Sequence, residues 1–327
     1  MTTSAAHSTQ PLLSLHTLRG ETMGTSWCVK LMASARADLH SIHAGIQAQL
    51  DRIVAQMSTW EADSDISRFN RAKADTWQPL PPEFFAVLCC ALETARDSDG
   101  AYDPTVGSLV EAWGFGPAVG GYRVPEEDEL ASAKNTLGWQ RISLQTDSMS
   151  VRQPGNVQLD LSAIAKGFGV DCVAVHLRNH GIEAALIEVG GELYGYGRKA
   201  DGAPWQVLVD AMPDCDTEEA LCVIELDSVA VATSGDRWHA FEQDGIRYSH
   251  TLDPRTAKPV ESAIAAVTVI SASAMDADAW ATALTVMGPE AGYRFARQRK
   301  LAARFVVHGE QGPSISMTDS FRARLPE

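Results

Sequence analysis

Strand-like segments joined by glycine-containing turns constrain the fold of this chain more than any other feature. The first pair is "LRGETMGTSWCVKLMAS", in which Gly24 separates two extended runs. Further strand-like runs follow in "AALIEVGGELYGYG", "WQVLVD", "LCVIELDSVAVATSG", "IRYSHTLDPRTAKPV" and "AAVTVISA". Helical periods are inserted between groups of strands and do not alternate strictly with single strands. This order favours an α+β fold over a doubly wound parallel sheet.

Apolar residues that recur every three or four positions predict several helices. Residues 41–57 have such a face, and residues 82–97 follow a Pro-Pro pair that is typical of a helix start. "SDISRFN" predicts a turn followed by a short helix. In "VQLDLSAIAKGFGVD" the period changes from two to about 3.6. This change predicts a strand that ends at Asp160 and a helix that runs on to Gly181.

Size and charge limit the classes of function. The 327 residues are 45% hydrophobic, which suffices for a large core, and we expect a flexible lead over residues 1–18 and a single domain over residues 19–327. The 42 acidic residues outnumber the 27 Lys and Arg, which argues against binding to nucleic acid. An acidic surface suits the recruitment of divalent cations, although solubility alone explains it equally well.

The cysteines and the first residues bear on the compartment. Six cysteines are present: Cys28, Cys89, Cys90, Cys172, Cys215 and Cys222. They form no C-x-x-C pair, so we expect reduced thiols and no cysteine metal site. The chain begins without a secretory signal, contains no window of about 18 apolar residues, and has no lipid-anchor cysteine before Cys28. These features predict no membrane span and a cytoplasmic location, or a periplasmic one if the sequence is truncated.

The stretch "MDADAWATALTVMG" has the rhythm of a buried helix but carries acids near its start. Asp278 and Thr282 are four residues apart, so both point to the same side of such a helix. A carboxylate and a hydroxyl are hard oxygen ligands of the kind that Mg²⁺ prefers. The alternative is structural: an Asp near a helix start is commonly a cap, and a mid-helix Thr commonly bonds its own backbone.

Two further segments carry candidate residues. In "DLSAIAKGFGVD", Lys166 and two glycines fall in the first turns of a predicted helix, where a ligand phosphate is attracted. The pattern is not a Walker loop, and packing alone would also explain the glycines. In "YSHTLDPRT", His250 is predicted on a strand, where it is either a general base or a half-exposed strand residue. Trp60 follows a predicted helix and either stacks on a flat ring or caps the core.

Taken together, the motifs resemble the ApbE family, the FAD:protein FMN transferases. The resemblance runs from about residue 20 to about residue 290 through eight blocks in order: "ETMGTSW", "MSTWEADSDISRFN", "YDPTVGSLVEAWGFG", "DLSAIAKGFGVD", "EVGGELYGYG", "TSGD", "SHTLDPRTAKP" and "DADAWATAL". It implies a T-fold-like α+β fold of the ApbE type with mixed or antiparallel sheets and packed helices. It also implies that FAD is split with Mg²⁺, that AMP leaves, and that FMN is joined by a phosphoester to a Ser or Thr of a target flavoprotein.

The resemblance implies roles for individual residues. The positions that match FAD contacts are Met23, Trp60, Ala101, Tyr102, Asp103, Asp160, Lys166 and Leu252. The positions that match the magnesium ligands are Ala163, through its main-chain carbonyl, with Asp278 and Thr282. His250 matches the position of the base that is proposed for the family. The resemblance also places Asp278 among the catalytic residues.

Three features of the chain depart from the family pattern. The segment after "TSGD" is Arg237-Trp238-His239 in place of a Tyr-Arg-Arg-like pattern, Ala257 replaces a common glycine, and the lipid-anchor cysteine is absent.

Two other functions stay open. A hydrolase would release FMN and AMP without a protein acceptor, and a non-catalytic FAD-binding protein would retain FAD intact.

Overall fold

The computed structural model describes residues 13–117, 121–209, 221–235, 240–260, 264–309 and 312–326. Its strands are β1 (Leu13–Thr22), β2 (Thr25–Ser34), β3 (Thr76–Pro79), β4 (Ser143–Gln145), β5 (Ser150–Gln153), β6 (Ala185–Val189), β7 (Glu192–Tyr196), β8 (Trp205–Val209), β9 (Cys222–Leu226), β10 (Val229–Gly235), β11 (Ala240–Gln243), β12 (Ile246–Ser249), β13 (Leu252–Asp253), β14 (Lys258–Pro259), β15 (Ile264–Ser271), β16 (Ala302–Val307) and β17 (Ser314–Met317). Eight of them form one sheet in the order β1-β2-β6-β7-β10-β15-β16-β17. Every neighbouring pair in this sheet is antiparallel, so the predicted α+β class is confirmed.

The helices are inserted between the strands, as the sequence pattern predicts. They are α1 (Leu39–Met57), α2 (Asp65–Asn70), α3 (Pro82–Asp97), α4 (Gly107–Ala112), α5 (Glu127–Lys134), α6 (Ala165–Asn179), α7 (Ala274–Met287), α8 (Pro289–Gln298) and α9 (Asp319–Arg322). The predicted helix over residues 82–97 is confirmed at both ends. None of the described helices is both long and apolar enough to cross a lipid bilayer.

The large sheet is covered on both faces. One face packs against α1, α6, α7 and α8 through buried residues that include Leu50, Val170 and Leu284. The other face is covered by the β8–β9 hairpin and α9, where Trp205 and Phe321 are buried. On the first face α6 and α7 are in contact through their first turns.

Two smaller cores extend this arrangement. The first lies between α1, α3, α6 and α7 and is filled by Phe69, Phe84 and Leu88 among others. The second lies between α4 and the segment around β13 and β14, where Leu109, Trp113 and Leu252 pack together. The segments that carry the candidate residues run along the margins of these cores.

Two tight turns lie at one end of the large sheet. Thr22 pairs with Thr25, so Met23 and Gly24 form a two-residue turn between β1 and β2. Both turn residues have positive φ, at 49° and 71°, which a two-residue antiparallel hairpin favours. Gly190 and Gly191 form the corresponding turn between β6 and β7. Because β2 pairs with β6, the two turns are neighbours.

The structure differs from the sequence predictions at two boundaries. β1 begins at Leu13, inside the segment that was predicted as a flexible lead to residue 18. The predicted strand ending at Asp160 is wrong, because β5 ends at Gln153. The Asn70 side chain instead binds both main-chain groups of Leu159, at 2.7 Å to its N–H and 3.0 Å to its carbonyl. These bonds occupy the groups that a neighbouring strand would use.

Candidate active site

The start of α6 lies directly against the first turns of α7. The main-chain N–H of Gly167 donates to Asp278 Oδ2 at 3.1 Å. A Cβ on Gly167 would lie 2.2 Å from the carbonyl oxygen of Ala274 and 2.9 Å from Asp278 Cβ. Only a glycine permits this approach, so Gly167 allows Asp278 to reach the beginning of α6.

Asp171 fixes the beginning of α7. Its carboxylate accepts hydrogen bonds from the Ser273 hydroxyl at 2.8 Å and from the main-chain N–H groups of Ala274 and Met275 at 2.9 and 3.0 Å. The first N–H groups of a helix have no partner within the helix, so a carboxylate from α6 is a strong cap. Ser273 is the N-cap residue. Asp278 therefore does not cap the helix, and its carboxylate is available for another purpose.

Lys166 lies between two buried carboxylates. Its Nζ donates to Glu192 Oε1 at 2.7 Å and lies 3.8 Å from Asp278 Oδ2. The side chains of Glu192 and Asp278 are 5% and 6% exposed, whereas that of Lys166 is 28% exposed. The three groups thus form a small charge cluster in which the two carboxylates are the more deeply buried members.

Burial and charge act in opposite directions on these three groups. Burial raises the pKa of Glu192 to about 8, against the lowering effect of Lys166. Burial also raises the pKa of Asp278, which Lys166 and the Gly167 N–H partly oppose. Burial alone would lower the pKa of Lys166, but Asp278 and Glu192 outweigh it and leave this pKa above its usual value. An additional cation near the carboxylates would be favoured electrostatically.

The two hairpin turns border this cluster. A Cβ on Gly190, whose φ is 58°, would lie 2.8 Å from Thr25 Cγ2 and 3.1 Å from Lys166 Cδ. Met23 lies on the other side of α6, where its Cε would be 3.5 Å from a Cβ on Gly169. The structure therefore brings the predicted residues Met23 and Lys166 to one end of the sheet.

The segment from Ala101 to Asp103 is buried beside the same helices. Tyr102 is 2% exposed, and its hydroxyl has no hydrogen-bond partner within the described ranges. Burial, followed by the nearby charges of Asp278 and Asp160 among others, raises the pKa of Tyr102. An unpartnered buried hydroxyl is costly, so it is a natural contact for a ligand.

The carboxylates of Asp103 and Asp160 have local partners. Asp103 Oδ1 accepts from the Thr105 N–H and hydroxyl at 2.8 and 2.6 Å, and Oδ2 accepts from the Trp139 N–H at 3.2 Å. Asp160 Oδ1 accepts from the Ser162 N–H at 2.8 Å. Its own N–H donates to Pro104 at 2.9 Å, which joins the two predicted FAD segments. Asp103 thus holds the shape of its loop.

Trp60 is the most exposed large aromatic side chain of the described residues. It is 66% exposed and follows the end of α1. The loop around it is held by Ser58, whose carbonyl accepts from the Ser64 hydroxyl at 2.6 Å. This exposure rules out the alternative in which Trp60 caps the core, and it leaves the ring free to stack on a flat ligand.

The predicted magnesium ligands have suitable chemistry. Asp278 Oδ1 accepts no hydrogen bond from the described part of the chain, because the bond from Gly167 uses Oδ2. Thr282 is half-buried on the same helix, and Ala163 lies in the turn before α6, at the margin of a core that contains Ala279 and Ala283 of α7. A carboxylate, a hydroxyl and a carbonyl form a hard oxygen set that fits Mg²⁺.

The predicted magnesium ligands differ in kind from a cluster of His, Cys, Asp and Glu side chains. No group of three or more such side chains is arranged for a metal ion within the described ranges. The predicted set has a single carboxylate, together with a hydroxyl and a main-chain carbonyl, so it is not a cluster of that kind. The buried Tyr102 hydroxyl and Glu192 Oε2, which have no hydrogen-bond partner in the described part of the chain, are further polar atoms around the site.

His250 and Leu252 lie in the neighbouring aromatic cluster. The prediction that His250 lies on a strand is wrong: β12 ends at Ser249, and His250 occupies a bend before β13. The Ser249 hydroxyl accepts from the Thr251 N–H at 3.1 Å, a local bond that competes with strand pairing. His250 lies edge-on to Phe115, with ring centroids 6.4 Å apart.

The loop after His250 is tied to the end of α7. Arg255 binds both oxygens of Asp253 at 2.9 Å and the carbonyl of Val286 at 3.2 Å.

Ala257 adopts φ 63°, a conformation that favours glycine, and its carbonyl accepts from the Trp113 ring N–H at 3.2 Å. The replacement of a common glycine by Ala257 therefore keeps the backbone shape of the turn.

Sequence reasoning missed Glu192, Asp171 and Arg255 as parts of this arrangement. All three lie in segments that carry the family resemblance, but the contacts that join them to α6 or α7 span at least 26 residues of sequence. The available signal for Glu192 was an acidic residue directly after a Gly-Gly turn at the start of an apolar strand. The unusual segment Arg237-Trp238-His239 lies outside the described residues, as does Cys215.

Known proteins match this chain over nearly its whole length. The sequence model of the ApbE family matches residues 23–305. A Vibrio cholerae serotype O1 protein named FAD:protein FMN transferase is 36% identical over 309 residues, covering 94% of this chain and 92% of that protein. The apo Pseudomonas stutzeri flavinyl transferase ApbE has a TM-score of 0.88 at 37% identity, covering 96% of this chain and 97% of the other. The flavin transferase ApbE from Vibrio cholerae has a TM-score of 0.88 at 34% identity, covering 96% and 100%. These matches confirm the predicted ApbE-type fold, and the chain belongs to the ApbE family.

Proposed function

We propose that this chain is an Mg²⁺-dependent FAD:protein FMN transferase. It splits FAD, releases AMP, and joins FMN through a phosphoester to a Ser or Thr of a target flavoprotein. Support comes from membership in the ApbE family and from relatives that bear the name FAD:protein FMN transferase. The names of those relatives do not state the metal, the bond or the leaving group, so we propose these from the family resemblance and from the chemistry of the site residues.

One observation carries the proposal. The N–H of Gly167 holds the Asp278 carboxylate at the start of α6, where the partly exposed Lys166 ammonium also lies. A carboxylate with one oxygen free for a cation, beside an ammonium group, suits a diphosphate together with its counter-cation. Asp171 already caps α7, and the bond from Gly167 uses only Asp278 Oδ2, so Oδ1 is left for a cation.

Mg²⁺ would be held by the carbonyl of Ala163, the carboxylate of Asp278 and the hydroxyl of Thr282. When bound, it would stabilise the negative charge that develops as a phosphorus–oxygen bond breaks. Lys166 adds a second positive charge beside the Asp278 carboxylate. Trp60 and Met23 would hold the flavin ring, and Tyr102 offers its buried hydroxyl to the substrate.

The acceptor hydroxyl is the nucleophile in this reaction. His250 accepts its proton as the hydroxyl oxygen bonds to the FMN phosphorus, and the bond from that phosphorus to the AMP oxygen breaks. The aromatic cluster around His250, which includes Phe115, keeps one side of the ring away from water. Arg255 ties the following turn to α7 and so couples the base to the helix that carries Asp278.

Transfer to protein is tested with FAD, MgCl₂ and a flavoprotein domain that carries a Ser/Thr-Gly-Ala-Ser/Thr-like sequence. Intact mass spectrometry should show the acceptor gaining one FMN, and chromatography should show AMP in equal amount. The matched controls are an acceptor whose Ser/Thr is replaced by Ala, and an assay in EDTA.

Two outcomes would contradict the proposal. Release of FMN and AMP at the same rate without an acceptor would indicate a hydrolase that uses water. Recovery of intact FAD from the protein under all these conditions would indicate a binding protein.

A further inference from the structure

Lys166 is shared unequally between two carboxylates. Its Nζ forms a hydrogen bond of 2.7 Å with Glu192 Oε1, but it lies 3.8 Å from Asp278 Oδ2, which is too long for a hydrogen bond. Glu192 belongs to neither the predicted metal ligands nor the predicted FAD contacts. Its side chain is 5% exposed, and a buried carboxylate at that position requires an explanation.

We propose that Glu192 is a positioning residue that holds Lys166 away from Asp278 and thereby keeps Asp278 available to a divalent cation. This inference rests on the proposed function, because it concerns the cation that the reaction requires. It assigns Glu192 a role in metal affinity, without contact between Glu192 and the metal.

The distances support this division of roles. Without Glu192, Asp278 Oδ2 is the nearest carboxylate for the Lys166 ammonium in the described structure, and a shift of about 1 Å would close the gap to an ion-paired hydrogen bond. A partly buried ammonium without a partner is unfavourable, so pairing with a second carboxylate would be favoured. An ammonium bonded to Asp278 would compete with a divalent cation for the same carboxylate.

The hairpin turn fixes the position of Glu192 and lies beside the stem of Lys166. Glu192 directly follows the Gly190-Gly191 turn and pairs with Val189, so its backbone is fixed by the hairpin. A Cβ on Gly190 would lie 3.1 Å from Lys166 Cδ, so main-chain atoms lie close beside the lysine stem. Glu192 Oε2 is buried without a hydrogen-bond partner in the described ranges, so Oε1 carries the interaction.

The test measures metal binding directly. Mn²⁺, a substitute for Mg²⁺, is titrated into the full-length protein in the presence of FAD, and free Mn²⁺ is followed by electron paramagnetic resonance. Glu192→Met removes the acceptor at similar length, whereas Glu192→Gln keeps an acceptor oxygen but cannot ionise. Each is examined alone and together with Lys166→Met. Glu188→Gln, one position from the β6 end of the hairpin turn, controls for the loss of a nearby negative charge.

Glu192→Met is expected to weaken Mn²⁺ binding by roughly 10- to 100-fold, the range for residues that orient a metal ligand. Glu192→Gln should lose much less, and adding Lys166→Met to Glu192→Met should restore most of the affinity. Lys166→Met should have a far smaller effect in the wild-type background. Thermal melts of each variant establish that the compared proteins are folded.

The possible failures are distinguishable. If Glu192→Met binds Mn²⁺ as tightly as the wild type, or if Glu192→Gln weakens binding as much as Glu192→Met, the positioning role is wrong while the proposed function stands. If Lys166→Met gives the same change in both backgrounds, charge alone acts and the inference is also overturned. If the wild-type protein with FAD binds no Mn²⁺, the metal-dependent function fails and the inference fails with it.

Discussion

Gly167 and Asp278 are 111 residues apart in the sequence, yet the main-chain N–H of one donates to the carboxylate of the other at 3.1 Å. This bond joins the helix that carries Lys166 to the helix that carries Asp278 and Thr282. Any change at the contact therefore affects both the proposed metal position and the proposed phosphate position.

Replacement of Asp278 should abolish transfer while the protein stays folded. Asp278→Ala removes the proposed metal ligand and leaves the Gly167 N–H without its acceptor, so we expect a loss of at least about 100-fold in turnover and of about 1–3 kcal/mol in the free energy of unfolding. Asp278→Asn keeps an acceptor oxygen and should lose activity with a smaller loss of stability. Flavin transfer followed by mass spectrometry and urea unfolding give the two values. Activity with Mg²⁺ in either variant would refute the metal assignment.

Gly167 and Gly169 should respond differently to alanine. A Cβ at Gly167 would lie 2.2 Å from a main-chain oxygen, which cannot move without separating α6 from α7. Gly167→Ala should therefore cost about 1–3 kcal/mol and reduce turnover. At Gly169 the nearest atom is a side-chain methyl of Leu50 at 3.1 Å, so Gly169→Ala should be tolerated much better. Equal melting temperatures for the two variants would contradict this account.

Asp171 should stabilise the protein through the start of α7. Asp171→Ala removes three hydrogen bonds at once, and we expect the free energy of unfolding to fall by about 2 kcal/mol or more. Ser273→Ala removes only the hydroxyl of the cap, which bonds to Asp171 and to the Asp276 N–H, so the free energy of unfolding should fall by less. Chemical unfolding of both variants provides the comparison, and a larger loss for Ser273→Ala would show that Asp171 is not the principal cap.

Trp60 should affect FAD binding without affecting stability. Because its side chain is 66% exposed, Trp60→Ala should change the free energy of unfolding by less than about 0.5 kcal/mol. Loss of ring stacking should weaken FAD binding by about tenfold. Trp77 is also exposed but lies on β3, so Trp77→Ala is the control and should leave the Kd for FAD unchanged. Fluorescence titration with FAD measures both, and equal Kd values for the two variants would remove Trp60 from the flavin site.

Glu192 should make stability depend on pH in the metal-free protein. Burial raises its pKa from 4.5 to about 8, so the folded protein holds this proton more tightly than the unfolded chain. The resulting contribution to stability is fully present below about pH 4.5 and is lost as the pH rises through about 8. In EDTA, the wild-type free energy of unfolding minus that of Glu192→Gln should therefore decrease across this window. A constant difference would mean that Glu192 is not protonated by burial.

The sequence predicted the elements of this site better than their contacts. α3 was predicted at both boundaries, and Asp278 and Lys166 were correctly placed in the first turns of helices, because the apolar period and the glycines are local signals. The pairing of Lys166 with Glu192 was missed because it depends on which strands are neighbours. The strand predicted to end at Asp160 failed for a related reason, since its pairing groups at Leu159 are taken by Asn70, 89 residues away.

The bend at His250 was missed for a more local reason. The hydroxyl of Ser249 competes for main-chain groups, and a pattern of alternating residues does not reveal that competition. The roles of the metal and FAD positions came from the family resemblance, and they stay predictions until the binding and transfer experiments are done.

The pairing of Val189 with Glu192 also has a consequence for how the chain folds. If β7 slid by one residue along β6, Leu193 would take the position that faces Lys166, and the carboxylate would turn to the opposite side of the sheet. Such a misaligned hairpin would bury the Lys166 ammonium against the Leu193 side chain without a compensating interaction. The glutamate that we propose to position Lys166 therefore also disfavours slippage of this hairpin during folding, so replacing it should lower the yield of folded protein as well as weaken metal binding.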